Sequence, residues 1–141
     1  MSNFGEVLSC LIFDTKISYQ KLADDLGVAL QTIYRWKGNK KDIGLSHLVA
    51  LCEYFNCSLE FLIGRTEQTA KPNNFAIENF GSRVRSIMKD KKITTYQMRK
   101  ETPYGSRYFE RWDNGADPQL STLIELANYF DCSLDELVGL E

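Results

Sequence analysis

Residue types that support covalent or metal chemistry are sparse in this chain. It holds a single histidine, His47, and four cysteines, of which no two form a C-x-x-C pair. The spacings from His47 to Cys52 and from Cys52 to Cys57 would place ligands on different helix faces, which disfavours a metal site. We expect Cys57 and Cys132 to be small buried residues before a helix and His47 to lie at the surface. The sequence therefore predicts no enzyme, no metal and no cofactor.

Hydrogen-bonding side chains instead follow one another along a short amphipathic segment. In the stretch from Leu30 to Lys37, the apolar Ile33 and Trp36 are three residues apart and predict the buried side of a helix. The remaining positions then face outward, and they hold glutamine, threonine, tyrosine and arginine. Planar groups such as the Gln31 amide and the Arg35 guanidinium can form paired hydrogen bonds with a planar partner. The pattern predicts a short helix with one buried face and one polar face that is exposed to solvent.

The segment around this helix occurs twice in the chain, as an internal sequence repeat. A shift of 76 residues aligns the stretch from Asn3 to Trp36 with that from Asn79 to Trp112, and a shift of 75 aligns Leu45 to Gly64 with Leu120 to Gly139. A period of this length is too long for a solenoid repeat, so each copy should have its own core. We therefore predict a first domain over residues 1–66, a linker over 67–74 and a second domain over 75–141.

Each copy predicts five short helices. Apolar residues recur at helical spacing in the first and fourth segments, and Ser18, Ser58, Thr94 and Ser133 are suited to cap helix N-termini. Thr94 with Gln97 and Ser133 with Glu136 form capping-box sequences. The linker is polar and contains a proline, without apolar periodicity. The fold class is thus all-α, and no apolar run is long enough for a membrane span.

Charge is segregated within each copy. The net charge is −2, which alone would disfavour a polyanion as partner. Residues 83–111, however, hold nine bases and three acids, and residues 112–141 hold seven acids and no base. The first copy has the same division in weaker form. Because a polyanion meets a local face of the protein, the basic part of each copy keeps a nucleic-acid partner possible.

The repeated pattern resembles the Cro/CI-repressor-type helix-turn-helix family, often called XRE. In the first copy the resemblance is carried by Ile17, Ser18, Leu22-Ala23, Gly27 and Trp36, followed by SHLVALCEYFNCSLEFLIG. In the second it is carried by Ile93, Thr94, Met98, Trp112 to Gly115 (WDNG) and STLIELANYFDCSLDELVG. It implies two tandem five-helix lambda-repressor-like domains that bind double-stranded DNA as a cytoplasmic transcriptional regulator. A repressor from a phage-like locus is the form we expect.

The resemblance also implies which residues meet the DNA. The third helix of each copy would read base edges in the major groove, and the second would cross the phosphate backbone. The implied base-reading residues are Gln31, Thr32, Arg35, Ser106, Arg107 and Arg111. The implied phosphate contacts are Tyr19, Lys37, Asn39, Lys40, Lys41, Thr95, Tyr96 and Asn114.

The second copy departs from the family pattern. Arg99 replaces the small alanine between the second and third helices, and Pro103 replaces the turn glycine. The long Arg99 side chain must reach solvent or force the helices apart, and Pro103 should end the second helix by Glu101. These departures leave a second hypothesis open. In it, degenerate helix-turn-helix domains bind a protein partner, as an antirepressor or inhibitor does, and homodimerisation is a further possibility.

Overall fold

The computed structural model describes residues 3–67 and 79–140. The chain divides into two compact units, Met1–Pro72 (unit 1) and Asn73–Glu141 (unit 2). Ten α-helices occur in the described part, five in each unit, and the predicted all-α fold class is confirmed. Apart from Glu67, the predicted linker over 67–74 lies outside the described residues. None of the described helices is both long and apolar enough to cross a membrane.

The helices of the two units correspond in order, and their lengths agree within one residue. In unit 1 they are α1 Phe4–Thr15, α2 Tyr19–Leu26, α3 Leu30–Lys37, α4 Leu45–Phe55 and α5 Leu59–Leu62. In unit 2 they are α6 Phe80–Lys91, α7 Thr95–Glu101, α8 Ser106–Asp113, α9 Leu120–Phe130 and α10 Leu134–Val138.

Short polar side chains start four of these helices as the sequence predicts. The hydroxyls of Ser18, Ser58, Thr94 and Ser133 each accept a hydrogen bond from the backbone N–H three residues later, at 3.0–3.1 Å. Each bond satisfies one of the free N–H groups at a helix start. Asn3 also precedes a helix, but its side chain makes no such bond, whereas Asn79 caps α6.

Each unit has its own apolar core. In unit 1 it is formed by Leu8, Leu22, Ile33, Trp36, Leu48 and Leu59, and in unit 2 by Val84, Met98, Phe109, Trp112, Leu123 and Leu134, with further residues in both. The predicted burial of Trp36 is confirmed, and Trp112 at the aligned position is also buried, at 4% exposure. His47, expected at the surface, is only half-exposed because its ring lies 5.3 Å from that of Trp36. Cys57 is buried and Cys132 is half-buried.

The first helix of each unit begins against the end of the third. In unit 1, Gly5 lies so close to the backbone carbonyl of Lys37 that a Cβ atom would be 2.9 Å from the carbonyl carbon. The Asn39 side-chain oxygen accepts a hydrogen bond from the Gly5 N–H at 3.2 Å. In unit 2 the Asn79 amide instead donates to the carbonyls of Trp112 and Asp113 at 3.2 and 3.1 Å. In unit 1 a side-chain oxygen thus satisfies a free N–H group at the start of the first helix, and in unit 2 a side-chain amide satisfies carbonyls at the end of the third helix.

A tyrosine on the fourth helix of each unit is hydrogen-bonded to a carboxylate at the end of the second. Tyr54 donates to Asp25 at 2.8 Å, and Tyr129 donates to Glu101 at 3.0 Å. Burial, followed by the bond to Asp25, raises the pKa of Tyr54 to about 12. The Tyr54 hydroxyl, followed by Lys21, lowers the pKa of Asp25 below 3.8.

We expect Gly5→Ala to destabilise unit 1. Alanine ordinarily favours a helix over glycine, but here the new methyl group meets the Lys37 backbone, and such overpacking costs about 1–3 kcal/mol. Urea unfolding measures the change. Gly38→Ala is the matched control, because its methyl would meet the Tyr34 carbonyl oxygen at an ordinary 3.5 Å. Equal stability of the two variants would contradict the prediction.

We expect the effect of Tyr54→Phe on stability to depend on pH. The raised pKa of Tyr54 means that the bond stabilises the fold below pH 10 and is lost as the pH rises through about 12. Because the pKa of Asp25 is lowered in the folded state, its bond to Tyr54 stabilises the fold fully above pH 3.8. This stabilisation is lost as the pH falls through the pKa of Asp25 in the folded state. Melting temperatures of wild type and variant should therefore differ between these limits and converge outside them. Tyr96→Phe is the control, since Tyr96 is 71% exposed; a pH-independent difference for Tyr54→Phe would refute the assignment.

Candidate nucleic-acid interface

The turn between α2 and α3 lets the third helix of unit 1 pack closely. Gly27 takes the left-handed conformation with φ +71°, which glycine adopts without a Cβ penalty. Ala23 is fully buried, and its small side chain allows α3 to approach α2. With Ile33 and Trp36 in the core, the opposite face of α3 is directed to solvent, where Gln31, Tyr34 and Arg35 are exposed.

Several predicted residues of unit 1 lie around one shallow depression of about 490 Å³. Its lining consists of Gln31, Tyr34, Arg35, Lys37, Gly38 and Lys40. Two implied base-reading side chains and two implied phosphate contacts are therefore brought together. Thr32 is half-buried and lies outside the lining, and Lys41 is exposed further along the loop.

Tyr19 connects the start of α2 to the recognition face. Its ring packs edge-on against Tyr34 at 4.8 Å between centroids, and the Lys37 ammonium lies 5.0 Å from the Tyr19 ring. The neighbouring Tyr19 hydroxyl raises the pKa of Lys37, which favours the charged form. The pair thus holds a cation beside the exposed face of α3.

Asn39 has a structural contact in addition to any phosphate contact. It adopts the left-handed conformation with φ +55°, and its side-chain oxygen is occupied by the Gly5 N–H. Only its amide N–H groups can donate to an anion. Lys40 and Lys41 follow directly and are exposed.

The helix-turn-helix of unit 2 is built around a buried tyrosine. α7 ends at Glu101, as Pro103 predicts, and Thr102 is extended with φ −134° and ψ 164°. The Thr102 hydroxyl donates to the Met98 carbonyl and accepts from the Tyr104 N–H, at 2.6 and 3.1 Å. Tyr104 is 6% exposed, and its hydroxyl lies within hydrogen-bond distance of Thr122 and Glu125.

The Arg99 side chain reaches solvent, which is one of the two arrangements expected for it, and does not force the helices apart. The residue is exposed, and its aliphatic stem lies beside Gly105, at 3.6–3.7 Å from where a Cβ atom there would be. The guanidinium therefore reaches solvent while the stem covers the turn.

The outward face of α8 differs from that of α3. Ser106, Arg107 and Arg111 are all exposed. Tyr108, which aligns with Thr32, is half-buried against Tyr104, and the Arg111 guanidinium lies 5.5 Å from its ring centre. The roles of Tyr104 and Tyr108 were not predicted. The repeat alignment carries a signal for them, since these aromatic residues stand where the first copy has Val28 and Thr32.

The remaining predicted residues of unit 2 are spread over its surface. Thr95 lines a groove with Ser106, whereas Tyr96 and Asn114 are exposed and do not line it. Asn114 directly follows α8, at the position that Gly38 has in unit 1.

An ion pair between Arg85 and Asp113 joins α6 to the end of α8. Arg85 donates two hydrogen bonds to the Asp113 carboxylate, at 2.5 and 2.7 Å, and its guanidinium lies over Phe109. The bond lowers the pKa of Asp113. In unit 1 the aligned residues are Ser9 and Lys37, so this pair is replaced by a lysine that is directed to Tyr19.

The described residues contain no cluster of three or more histidine, cysteine or acidic side chains with the geometry of a metal site. The exposed faces of α3 and α8 therefore remain the candidate functional surfaces. Their planar amide and guanidinium groups are suited to hydrogen bonding with base edges, and the neighbouring lysines are suited to phosphates.

Comparison with known proteins agrees with this geometry. A family model described as the Cro/C1-type HTH DNA-binding domain matches residues 7–68 and, a second time, residues 83–141. No curated protein matches the chain, and no solved structure does.

Proposed function

Because this chain belongs to the Cro/C1-type helix-turn-helix DNA-binding domain family, we propose that it is a sequence-specific transcriptional repressor. In this proposal α3 and α8 each enter a major groove of double-stranded DNA, and bound protein blocks access to a promoter. The family itself supports a DNA-binding regulator. The sequence specificity, the repression and the cytoplasmic location belong to the proposal.

The observation that carries the proposal is the division of α3 into two faces. Ile33 and Trp36 are at most 1% exposed, whereas Gln31 and Arg35 on the opposite side are exposed and unobstructed by the rest of unit 1. Gln31 is suited to adenine and Arg35 to guanine, through paired hydrogen bonds in the major groove. Thr32, which is half-buried, assists from the edge of this face. The phosphate backbone of the DNA is contacted by Tyr19, Lys37, Asn39, Lys40 and Lys41.

Unit 2 reads a different half-site in this proposal. Ser106, Arg107 and Arg111 take the base-reading roles, with Thr95, Tyr96 and Asn114 at phosphates. Arg111 is the one reader shared with unit 1, since it aligns with Arg35. Two unlike units in one chain would therefore select an asymmetric operator.

Selection from random duplex DNA tests the proposed function. Enrichment of one motif with two dissimilar halves, and an affinity that falls as salt rises, is the expected result. Transcription from a promoter that contains the motif should fall when the protein is added. If no motif is enriched and affinity does not respond to salt, the proposal is wrong.

We expect Arg35→Ala to weaken binding in a sequence-dependent way. Loss of a paired hydrogen bond costs about 1–3 kcal/mol, or roughly 5- to 150-fold in affinity for the selected site, with relaxed preference at one base pair. Competition assays with single-base variants of the site measure this. Lys40→Ala is the contrasting variant, because loss of a phosphate contact should weaken selected and random duplexes alike. An equal effect of Arg35→Ala on both duplexes would remove Arg35 from the base-reading set.

A protein-interaction module is the second candidate. Phe13 on α1 is 82% exposed and lines a depression together with Ile12, Ile17 and Tyr19, and an exposed apolar patch favours a protein contact. Under this alternative, the full chain would bind a protein partner with an affinity that Phe13→Ser lowers and Gln31→Ala with Arg35→Ala leaves unchanged. It would also fail to bind any selected duplex.

A further inference from the structure

Two surface segments border the recognition helix of each unit. The entry segment, residues 13–25 in unit 1 and 89–101 in unit 2, covers the last three residues of the first helix, the turn after it and the second helix, apart from Leu26 in unit 1. The exit loop, residues 37–42 in unit 1 and 113–117 in unit 2, starts at the last residue of the recognition helix. Residues 26–29 in unit 1 and 102–105 in unit 2 separate the entry segment from α3 and α8.

The charge of these segments is inverted between the units. The entry segment holds two bases and three acids in unit 1, but five bases and two acids in unit 2. The exit loop holds three lysines and one acid in unit 1, but two acids and no base in unit 2. Lys37 aligns with Asp113 on the shift of 76, so the charge is reversed at this matched position.

The basic entry segment of unit 2 adjoins the start of its recognition helix. A groove of about 660 Å³ is lined there by Lys89, Thr94, Thr95 and Ser106, together with Arg85, Met88, Ile93, Phe109 and Glu110. Arg85 is already paired with Asp113, and Glu110 adds one negative charge. Lys89 therefore supplies the unpaired positive charge of this groove.

The other cations of the entry segment are also available to a partner. Lys89 and Lys92 are exposed and form no ion pair with any carboxylate in the described ranges, 3–67 and 79–140. Lys92 directly follows α6, and Arg99 is exposed with its stem beside Gly105, one residue before α8 begins. In unit 1, by contrast, Lys21 of the entry segment is paired with Asp25 at 3.2 Å.

From this inversion we infer that the lysines that contact the phosphate backbone follow the recognition helix in unit 1 and precede it in unit 2. Unit 1 uses Lys40 and Lys41 of the exit loop, and unit 2 uses Lys89 and Lys92 of the entry segment. The ligand of Lys89 and Lys92 is the phosphodiester backbone of duplex DNA. The inference rests on the proposed function and extends it to residues outside the predicted contacts.

The exit loop of unit 2 has no cation in place of Lys40 and Lys41. Asp117 adds a negative charge, which disfavours the approach of a phosphate, and Asp113 is occupied by its bonds to Arg85. Asn114 can still donate to a phosphate, but the cationic contacts of unit 2 must come from another segment. Lys89 and Ser106 line one groove, so a strand that passes this side meets both the cation and the first residue of α8.

The salt dependence of binding tests the inference in the full chain, with the selected duplex as probe. Each neutralised phosphate contributes about 0.9 to the slope of log K against log salt, so Lys89→Ala with Lys92→Ala should lower the slope by about 2. Lys89→Arg with Lys92→Arg should retain it. Lys16→Ala with Lys21→Ala is the matched control, because Lys16 aligns with Lys92 and the pair lies in the acidic entry segment of unit 1.

Phosphate-ethylation interference provides the positional readout. The Lys89/Lys92 double alanine variant should lose interference at phosphates on one side of one half-site, and Lys40→Ala with Lys41→Ala should lose it in the other half-site. If the Lys89/Lys92 variant keeps the wild-type salt slope and the wild-type interference pattern, the inference is wrong. Those lysines then bind either an acidic protein or no partner. Wild-type protein with no salt-dependent duplex binding would instead refute the proposed function itself. Circular dichroism melting verifies that every variant is folded.

Discussion

The close contact between the first and third helices is the constraint on which each unit depends. Gly5 and Gly81 have no side chain, so the N-terminus of the first helix approaches the last turn of the recognition helix. An asparagine side chain joins the two helix ends in each unit: Asn39 accepts from a free N–H group of α1, and Asn79 donates to carbonyls at the end of α8. Because α3 and α8 are held at this end and at their buried tryptophans, their outward faces have a fixed direction.

The two units pack corresponding helices against each other with different side chains. Asn39, after α3, holds the junction in unit 1, whereas Asn79, before α6, holds it in unit 2. The small Ala23 and Gly27 allow a close turn in unit 1, and unit 2 replaces them with an exposed Arg99 and a turn that packs around Tyr104. A distorted sequence pattern therefore does not imply a lost domain. It moves the supporting contacts from the helix-helix interface to an aromatic cluster with Tyr108 and Trp112.

Local signals in the sequence predicted the parts of the fold that local physics determines. Hydroxyl residues mark helix starts because they cap the adjacent N–H groups, and Pro103 ends α7 because it restricts Thr102. The exposure of Gln31 and Arg35 followed from periodicity alone. The burial of Tyr104 could not be predicted this way, since it depends on Thr122 and Glu125, about 20 residues away in the chain. Likewise, the contact between His47 and Trp36 and the bond between Asn39 and Gly5 are tertiary contacts without a local pattern.

The placement of the two tryptophans gives each unit its own optical reporter. The chain contains two tryptophans, and they occupy aligned positions at the end of α3 and α8. Trp36 lies beside an imidazole ring, whereas Trp112 is surrounded by Phe80, Tyr104, Tyr108 and Phe109. Their intrinsic fluorescence therefore arises in chemically different surroundings. Replacing one of them with phenylalanine leaves the emission of a single unit, so the cooperativity of unfolding between the two halves becomes directly observable.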